Sequence, residues 1–414
     1  MTQAPAISIE KALELAGTFR RAGQREYAES IYRKIITGHP DSVDAWNNLA
    51  NMLLERRALG ESIECFQRAL AIRPDFAFSH HNLAQAFAEA GQFEDALRHS
   101  SRAVELNPES PDFNLAFATL LLLLGRNEEG WRHYEWRLHQ PEIKQQLENF
   151  PTPRWDGGSV NTLLVQEDQG YGDTFHFLRY LPIVARRSGA QIIFACREKL
   201  LPILEPNMPH GIKAVAISSG MPVCDAYVPL LSIPWALQSF DPLPMPAPYL
   251  HADEGRRKLL REHMGPARAL RVGLSWEGSS EHPRNRIRSI APDLLRPVLD
   301  LNGIEFYSLQ LGKQIHHENL KDFMPQIRDF ADTAALMSEL DLLISVDTAA
   351  AHLAGALGRP VWTLLPFAPD WRWDLESETT PWYPTMRLFR QPVIDDWSQV
   401  IEQVASQIRS LVTS

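Results

Sequence analysis

Large and small apolar residues recur along the first third of the chain at a fixed period. Pro40, Pro74 and Pro108 stand 34 residues apart, and the positions between them repeat too. One interval supplies Trp46, Leu49, Ala50 and Leu53, then Ser62, Phe66, Ala69 and Pro74. The interval before it supplies Ala12, Leu15, Ala16, Phe19, Ala28, Tyr32, Ile35 and Pro40. A third supplies His80, Leu83, Ala84, Phe87, Ala96, Ala103 and Pro108, with Ser100 in the aromatic slot. A fourth, looser set is Asn114, Phe117, Ala118, Leu121, Gly130 and Tyr134. Spacings of three and four predict two amphipathic helices per interval. Gly23, Gly91 and Gly125 fall where the two helices should turn.

That period is the signature of the tetratricopeptide repeat, an antiparallel helix pair per unit. Four units suffice to stack a continuous core and to present an extended concave surface. Small residues let paired helices approach, and large ones fill the gaps between units. Asn48 and Asn82 directly precede the Leu of their units and are expected on the concave side. An Asn amide both donates to and accepts from one peptide group, so it can hold an extended polypeptide without reading its sequence. The placement resembles, locally, the asparagine ladder in the repeats of O-GlcNAc transferases. Glu14 and Ala116 take this slot in the first and fourth units, so plain solvated positions are the alternative.

Beyond Leu138 the pattern changes. A polar, Pro-containing stretch, Pro141 to Ser159, reads as a linker over 142–160, following a repeat array over 1–141. Thr162–Gln166 is then a short apolar run, the mark of a buried first strand. It leads through a Gly-containing turn, 167–174, into an apolar helix expected over Phe175–Ala185. Ile192–Ala195, Val215–Ile217 and Ala226–Val228 read as further strands. Asp241 to Tyr249 is Pro-rich and reads as a hinge between domains 161–250 and 251–414. The second series of strands is expected at Arg271–Trp276, Glu305–Leu309, Ile327–Phe330, Leu342–Val346, Val361–Leu365 and Met386–Phe389. Strand, turn and helix place a ligand site at the carboxyl edge of a parallel sheet. The turn is not GxGxxG, so no dinucleotide fingerprint is present. The expected fold is an all-α repeat solenoid followed by two Rossmann-like α/β domains facing a cleft.

Composition narrows the partners. The chain has 414 residues, too many for one ordinary domain, and 44% apolar content gives material for several cores. A net charge of −10 argues against a general nucleic-acid or membrane-surface binder. Cys65, Cys196 and Cys224 are scattered and odd in number, neither a disulfide framework nor a zinc pattern. Met1 to Glu10 has no basic region followed by an apolar run, and the apolar run Leu120–Leu124 is too short to cross a bilayer. A cytoplasmic protein with no transmembrane segment is expected.

Gly172-Asp173-Thr174-Phe175-His176 resembles the G-D-x-x-H turn of bacterial heptosyltransferases, and Ser345 to Leu353 resembles their S-V-D-T-x-x-x-H-L segment. With the repeats ahead, and with Asp370-Trp371-Arg372-Trp373 and Trp382-Tyr383-Pro384 after, the chain resembles bacterial tetratricopeptide-containing glycosyltransferases. Some members of that group resemble flagellin-modifying enzymes. The resemblance implies the GT-B fold, a sugar-nucleotide donor against Thr348–His352, and Asp173 as general base. Gly172 and His176 then belong to the acceptor side.

The residues themselves support a donor site. Asp347 and Thr348 lie where a buried strand gives way to a helix, and either can cap it. First-turn amides have no internal partner and meet the positive end of the helix dipole, so a diphosphate fits there. Ala349 to Ala351 are small enough to let it approach, and His352 lies in the first turn. Arg284, Arg286 and Arg288 alternate, which in an extended loop puts them on one face to neutralise a departing phosphate. Lys313 and Trp276, at other strand ends, complete the donor-side candidates. Asp173 can take the acceptor's proton or only cap its helix, and Asp168 and Glu167 are alternative bases. The aromatic cluster Trp371, Trp373, Trp382 and Tyr383 fits either stacking on a base or sugar, or core filling.

The expected activity is transfer of a sugar to a protein Ser or Thr hydroxyl, inverting and with no cofactor beyond the nucleotide-sugar co-substrate. No D-x-D motif points to a bound metal. A glycan or lipopolysaccharide acceptor is one alternative, and a non-catalytic scaffold with a degenerate transferase half is another. The sugar, the nucleotide and the oligomeric state are left open.

Overall fold

In the computed structural model, which describes residues 7–148, 150–244, 247–282 and 284–413, the chain forms two compact units, Met1–Leu147 and Glu148–Ser414. The reading of Met1–Glu10 therefore lies mostly outside the described residues, as do parts of the linker and the hinge.

The first unit is four helical hairpins. They pair α1 (Ile9–Arg21) with α2 (Arg25–Gly38), α3 (Val43–Glu55) with α4 (Leu59–Ile72), α5 (Ala77–Glu89) with α6 (Phe93–Leu106), and α7 (Pro111–Leu123) with α8 (Asn127–Tyr134). The template residues fill the core: Leu49, Ala50, Leu53, Phe66, Leu83 and Leu121 are buried. Each hairpin turns through one left-handed residue: Gly23, Arg57, Gly91 and Gly125 have φ of 69 to 77° and recur every 34 positions. Arg57 stands where its equivalents are glycine. A polar bond recurs as well. Trp46 Nε1, His80 Nε2 and Asn114 Nδ2 each meet the carbonyl of the proline six residues earlier, at 2.9, 2.9 and 2.8 Å. A helix, α9 (Pro141–Glu148), forms where the polar composition reads as linker.

The second unit holds two parallel sheets. In the first, β1 (Thr162–Gln166), β2 (Gln191–Cys196), β3 (Ile212–Ala216) and β4 (Ala226–Pro229) run in the order β3-β2-β1-β4. In the second, β5 (Leu270–Ser275), β6 (Ile304–Ser308), β7 (Leu320–Asp322), β8 (Leu342–Val346), β9 (Val361–Leu365) and β10 (Met386–Arg390) run in the order β10-β9-β8-β5-β6-β7. All pairings are parallel. The second sheet packs Val272, Leu274, Phe306, Ile344 and Val346 against the last helix, Ser398–Thr413.

Strand order reverses between β1 and β4 and between β5 and β8. Loops leaving these strands diverge there and open a crevice, the usual ligand position in such sheets. Two expectations fail locally. Ile327–Phe330 is no strand: Asp329 caps a helix that begins at Phe330, and the edge strand lies earlier, at Leu320–Asp322. The third strand starts at Ile212, and Ile217 already belongs to a turn.

Candidate active site

The helix after β1 starts earlier than its apolar run suggests. It is α10 (Tyr171–Phe177), with Gly170 at its cap, so Gly172 and Asp173 lie in its first turn. Asp173 Oδ2 accepts from Gly170 N at 2.9 Å, which secures the helix start. The chain continues into α11 (Leu181–Ser188). After β7, α12 is Phe330–Ser338, and after β8, α13 is Ala349–Ala356. The N-terminal turns of α10 and α13 meet. A Cβ built on Gly172 would lie 2.9 Å from His352 Cδ2 and 3.5 Å from Ala349 Cα. Tyr171 and Phe175 of α10 pack on Phe330 at 4.8 and 5.1 Å between ring centroids.

A charged cluster sits at this junction. Arg372 donates to Asp173 Oδ1 and, at 2.7 Å, to Asp370. Its side chain is 8% exposed, against 23% for Asp173 and 30% for Asp370. It lies over the Trp371 ring at 4.2 Å. Its own carbonyl accepts from Trp382 Nε1 at 2.9 Å. Asp347 is 15% exposed, with its Oδ1 3.7 Å from His352 Nε2. Burial, with Asp370 nearby, pushes the Asp347 carboxyl up to about 6. Burial also raises Asp173, against the pull of Arg372. Asp370 stays low because the Arg372 charge and hydrogen bonds outweigh its burial.

Beneath the cluster is a sealed aromatic layer. His352 Nδ1 lies 3.0 Å from the Tyr383 hydroxyl, which lies 3.5 Å from His176 Nδ1. Trp373 stacks on His352, and Trp382 meets His176 edge-on. Burial holds both imidazoles well below the ordinary histidine range, so they are neutral. Arg179 threads the layer. It donates to the carbonyls of His176 and Trp382 at 2.7 and 2.8 Å, and to the Tyr249 hydroxyl at 3.2 Å.

These contacts revise several sequence expectations. His176 is fully buried and cannot touch an acceptor; it ties the two sheets together. Gly172 serves as the packing point against α13. His352 faces the aromatic layer. Trp276 belongs to the second sheet's core. Arg284, Arg286 and Arg288 do not alternate on an extended face, because Asn285–Arg288 coils into one helical turn. Arg284 donates to the carbonyls of Ala368 and Pro369, bracing the segment that carries Asp370. Arg288 lies against Gly278 and near enough to pull on Asp347, while Arg286 points to solvent. Lys313 is paired with Glu277 at 2.6 Å. The two alternative bases are engaged elsewhere. Glu167 takes Thr174 Oγ1 and Arg197, and Asp168 accepts from Leu231 N at 2.9 Å. Asp347, Thr348 and Ala349 remain half-buried at the crevice, as does Trp371.

In the repeats, Asn48 and Asn82 are half-buried. Asn48 lines a cavity of about 570 Å³ with Glu14, Arg20, Arg25 and Tyr32.

Comparison with known proteins agrees with this layout. The tetratricopeptide repeat family matches residues 41–109, and glycosyltransferase family 9 (heptosyltransferase) matches residues 322–382. The chain is similar to Protein FlbA of Caulobacter vibrioides, 28% identical over an alignment 444 positions long that spans 98% of this chain and 74% of that one. It is 29% identical to Superkiller protein 3 of Schizosaccharomyces pombe over 30% of this chain and 9% of that one. Among solved structures, MamA aligns with 34% of this chain and 82% of its own at 17% identity and TM-score 0.31. YrrB, a TPR protein with an unusual peptide-binding site, aligns with 32% and 68% at 20% identity and TM-score 0.30. The family 9 segment contains β8, α13, Asp347, Asp370 and Arg372. With tetratricopeptide repeats ahead of it and two parallel sheets around it, the chain is similar to repeat-containing, heptosyltransferase-like glycosyltransferases, and its family 9 segment supports glycosyltransferase activity.

Proposed function

We propose that the enzyme transfers a sugar from a nucleotide sugar to a Ser or Thr hydroxyl of a protein, with inversion and without a metal. Flagellin or another surface protein fits as the acceptor, modified in the cytoplasm. The observation that carries the reading is the meeting of the α10 and α13 N-termini at a cluster of three carboxylates and Arg372, at the carboxyl edges of both sheets.

The donor's diphosphate takes the first-turn amides of α13, with Thr348 and Ala349 at its edge and Arg288 and Arg372 as countercharges. Trp371 offers a face to the base or the sugar. The acceptor oxygen bonds to the anomeric carbon as the bond from that carbon to the phosphate oxygen breaks. The hydroxyl proton passes to Asp173, and the leaving diphosphate keeps the electron pair. The cations supply the charge stabilisation that a metal gives in other transferases. The repeats hold the acceptor chain on their concave face, with Asn48 and Asn82 as backbone clamps.

Intact masses of surface proteins, compared between strains with and without this gene, test the acceptor. Loss of a sugar-sized mass from one protein is the expected result. Unchanged protein masses with an altered cell-surface glycan would move the acceptor to the glycan alternative. In the purified system, Asp173→Asn should slow transfer by about 10²–10⁴-fold, the usual weight of a placed general base. Transfer by that variant at the wild-type rate would remove Asp173 from the mechanism.

A further inference from the structure

Arg372 is too well built for a casual surface ion. Its backbone is held twice. Asp370 accepts from its N–H at 3.1 Å, and its carbonyl accepts from Trp382. Trp371 lies under the guanidinium, and Asp370 holds Nη1. Its Nη2 crosses from the second sheet's half to Asp173 on the first. Asp173 is fixed as firmly. Its Oδ2 accepts from Gly170 N and its Oδ1 from Arg372. A carboxylate paired with a guanidinium is a weaker proton acceptor than the same buried carboxylate alone, because any proton it takes must displace the cation. As it stands, Arg372 occupies the proposed base and offsets part of the basicity that burial gives it.

The same guanidinium lies beside the donor position. Asp347, at the end of β8, and His352, in the first turns of α13, both feel its charge. A diphosphate on the α13 amides comes within its reach and carries more charge than one carboxylate. Arginine forks onto phosphate with two parallel hydrogen bonds. The two anions then compete for one cation.

We propose that Arg372 is exchanged from Asp173 to the donor's diphosphate, so that donor arrival frees Asp173 as the base; this rests on the transferase reading above. Base and donor site are coupled through one side chain. Without donor, the carboxylate is masked. With donor, Arg372 neutralises the leaving group and Asp173 is exposed to the acceptor hydroxyl. The order of events follows: donor first, acceptor second.

The test is a double-mutant cycle on the full-length protein. Calorimetry measures inorganic pyrophosphate and ADP, CDP, GDP and UDP against wild type, Asp173→Asn, Arg372→Gln and the double variant. Thermal melting of each variant confirms that it is folded, and Arg372→Lys provides a charge-conserving control. Asp173→Asn removes the competitor and should bind the preferred diphosphate about tenfold more tightly. Arg372→Gln should bind it about tenfold or more weakly, with Arg372→Lys in between. In the double variant the gain from Asp173→Asn should vanish, since no cation is left to compete for. Unchanged affinity in Asp173→Asn overturns the exchange and makes the Arg372–Asp173 pair a fixed strut. A gain that persists without Arg372 also overturns it, because plain repulsion between Asp173 and the phosphates then explains it. Failure of wild type to bind any of the five probes counts against the transferase reading itself.

Discussion

Asp347 is the residue with the clearest energetic cost. Burial, and then Asp370, push its folded carboxyl up to about 6, against 3.8 for an ordinary aspartate. The folded state therefore holds a proton that the unfolded state releases. Stability falls as pH rises through that window, and the full cost is present above about pH 7. Asp347→Asn should raise the melting temperature at pH 8, by up to about 3 kcal/mol of stability, and the gain should shrink to nothing near pH 4. Melting curves at the two pH values check this. A gain in stability paired with weaker donor binding would mark Asp347 as strained for function.

Gly172 shows the same economy in packing. A methyl group there meets His352 and the α13 backbone at van der Waals range or closer. Gly172→Ala should cost about 1–3 kcal/mol by overpacking and should weaken diphosphate binding, since it wedges α10 from α13. Denaturant unfolding and calorimetry read the two effects separately.

At the scale of elements, the repeats were legible because their information is periodic. Eight helices follow from the spacing of Leu, Ala and Phe, with turns at Gly23, Gly91 and Gly125. The aromatic slot holding Ser100 and the left-handed turn at Arg57 broke the pattern without breaking the structure. Among strands, the buried apolar runs of β1, β8, β9 and β10 were readable to within a residue. β7 was not, because Leu320-Lys321-Asp322 is a short edge strand with little apolar content. Ile327–Phe330 misled because Phe330 and Ala331 serve the helix capped by Asp329. The early start of α10 was hidden in a stretch that reads as a glycine turn. What was not legible in the site was direction. Sequence placed His176, His352 and Trp276 near strand ends, and the fold turns all three inward. It put Arg284, Arg286 and Arg288 on one face, whereas the helical turn exposes Arg286 and sets Arg288 against Gly278. Arg372 lay within a quoted motif, but its partner Asp173, 199 positions away in sequence, cannot be read from spacing. In the repeats, Asn114→Ala should cost about 1–3 kcal/mol, because it leaves the Pro108 carbonyl and His133 without their partner. Chemical denaturation measures it.

At the scale of the whole molecule, the two units carry separate cores and different kinds of stability. The array is a sum of neighbouring hairpins, while the sheets depend on long-range pairing. Scanning calorimetry should resolve two unfolding transitions. Pyrophosphate at millimolar concentration should raise only the transition of unit Glu148–Ser414. Asn114→Ala should lower only the other. A single transition that moves as one under both perturbations would show that the units unfold together.

The carbonyl ahead of the second, third and fourth hairpins gives a rule for anyone lengthening this array. An indole, an imidazole and a carboxamide all reach the same oxygen from the same slot. What is inherited there is an N–H at the right distance, and the identity of the side chain is free to drift. A grafted unit can carry any of the three, whereas leucine, with similar bulk, would strand the oxygen and weaken the joint between modules.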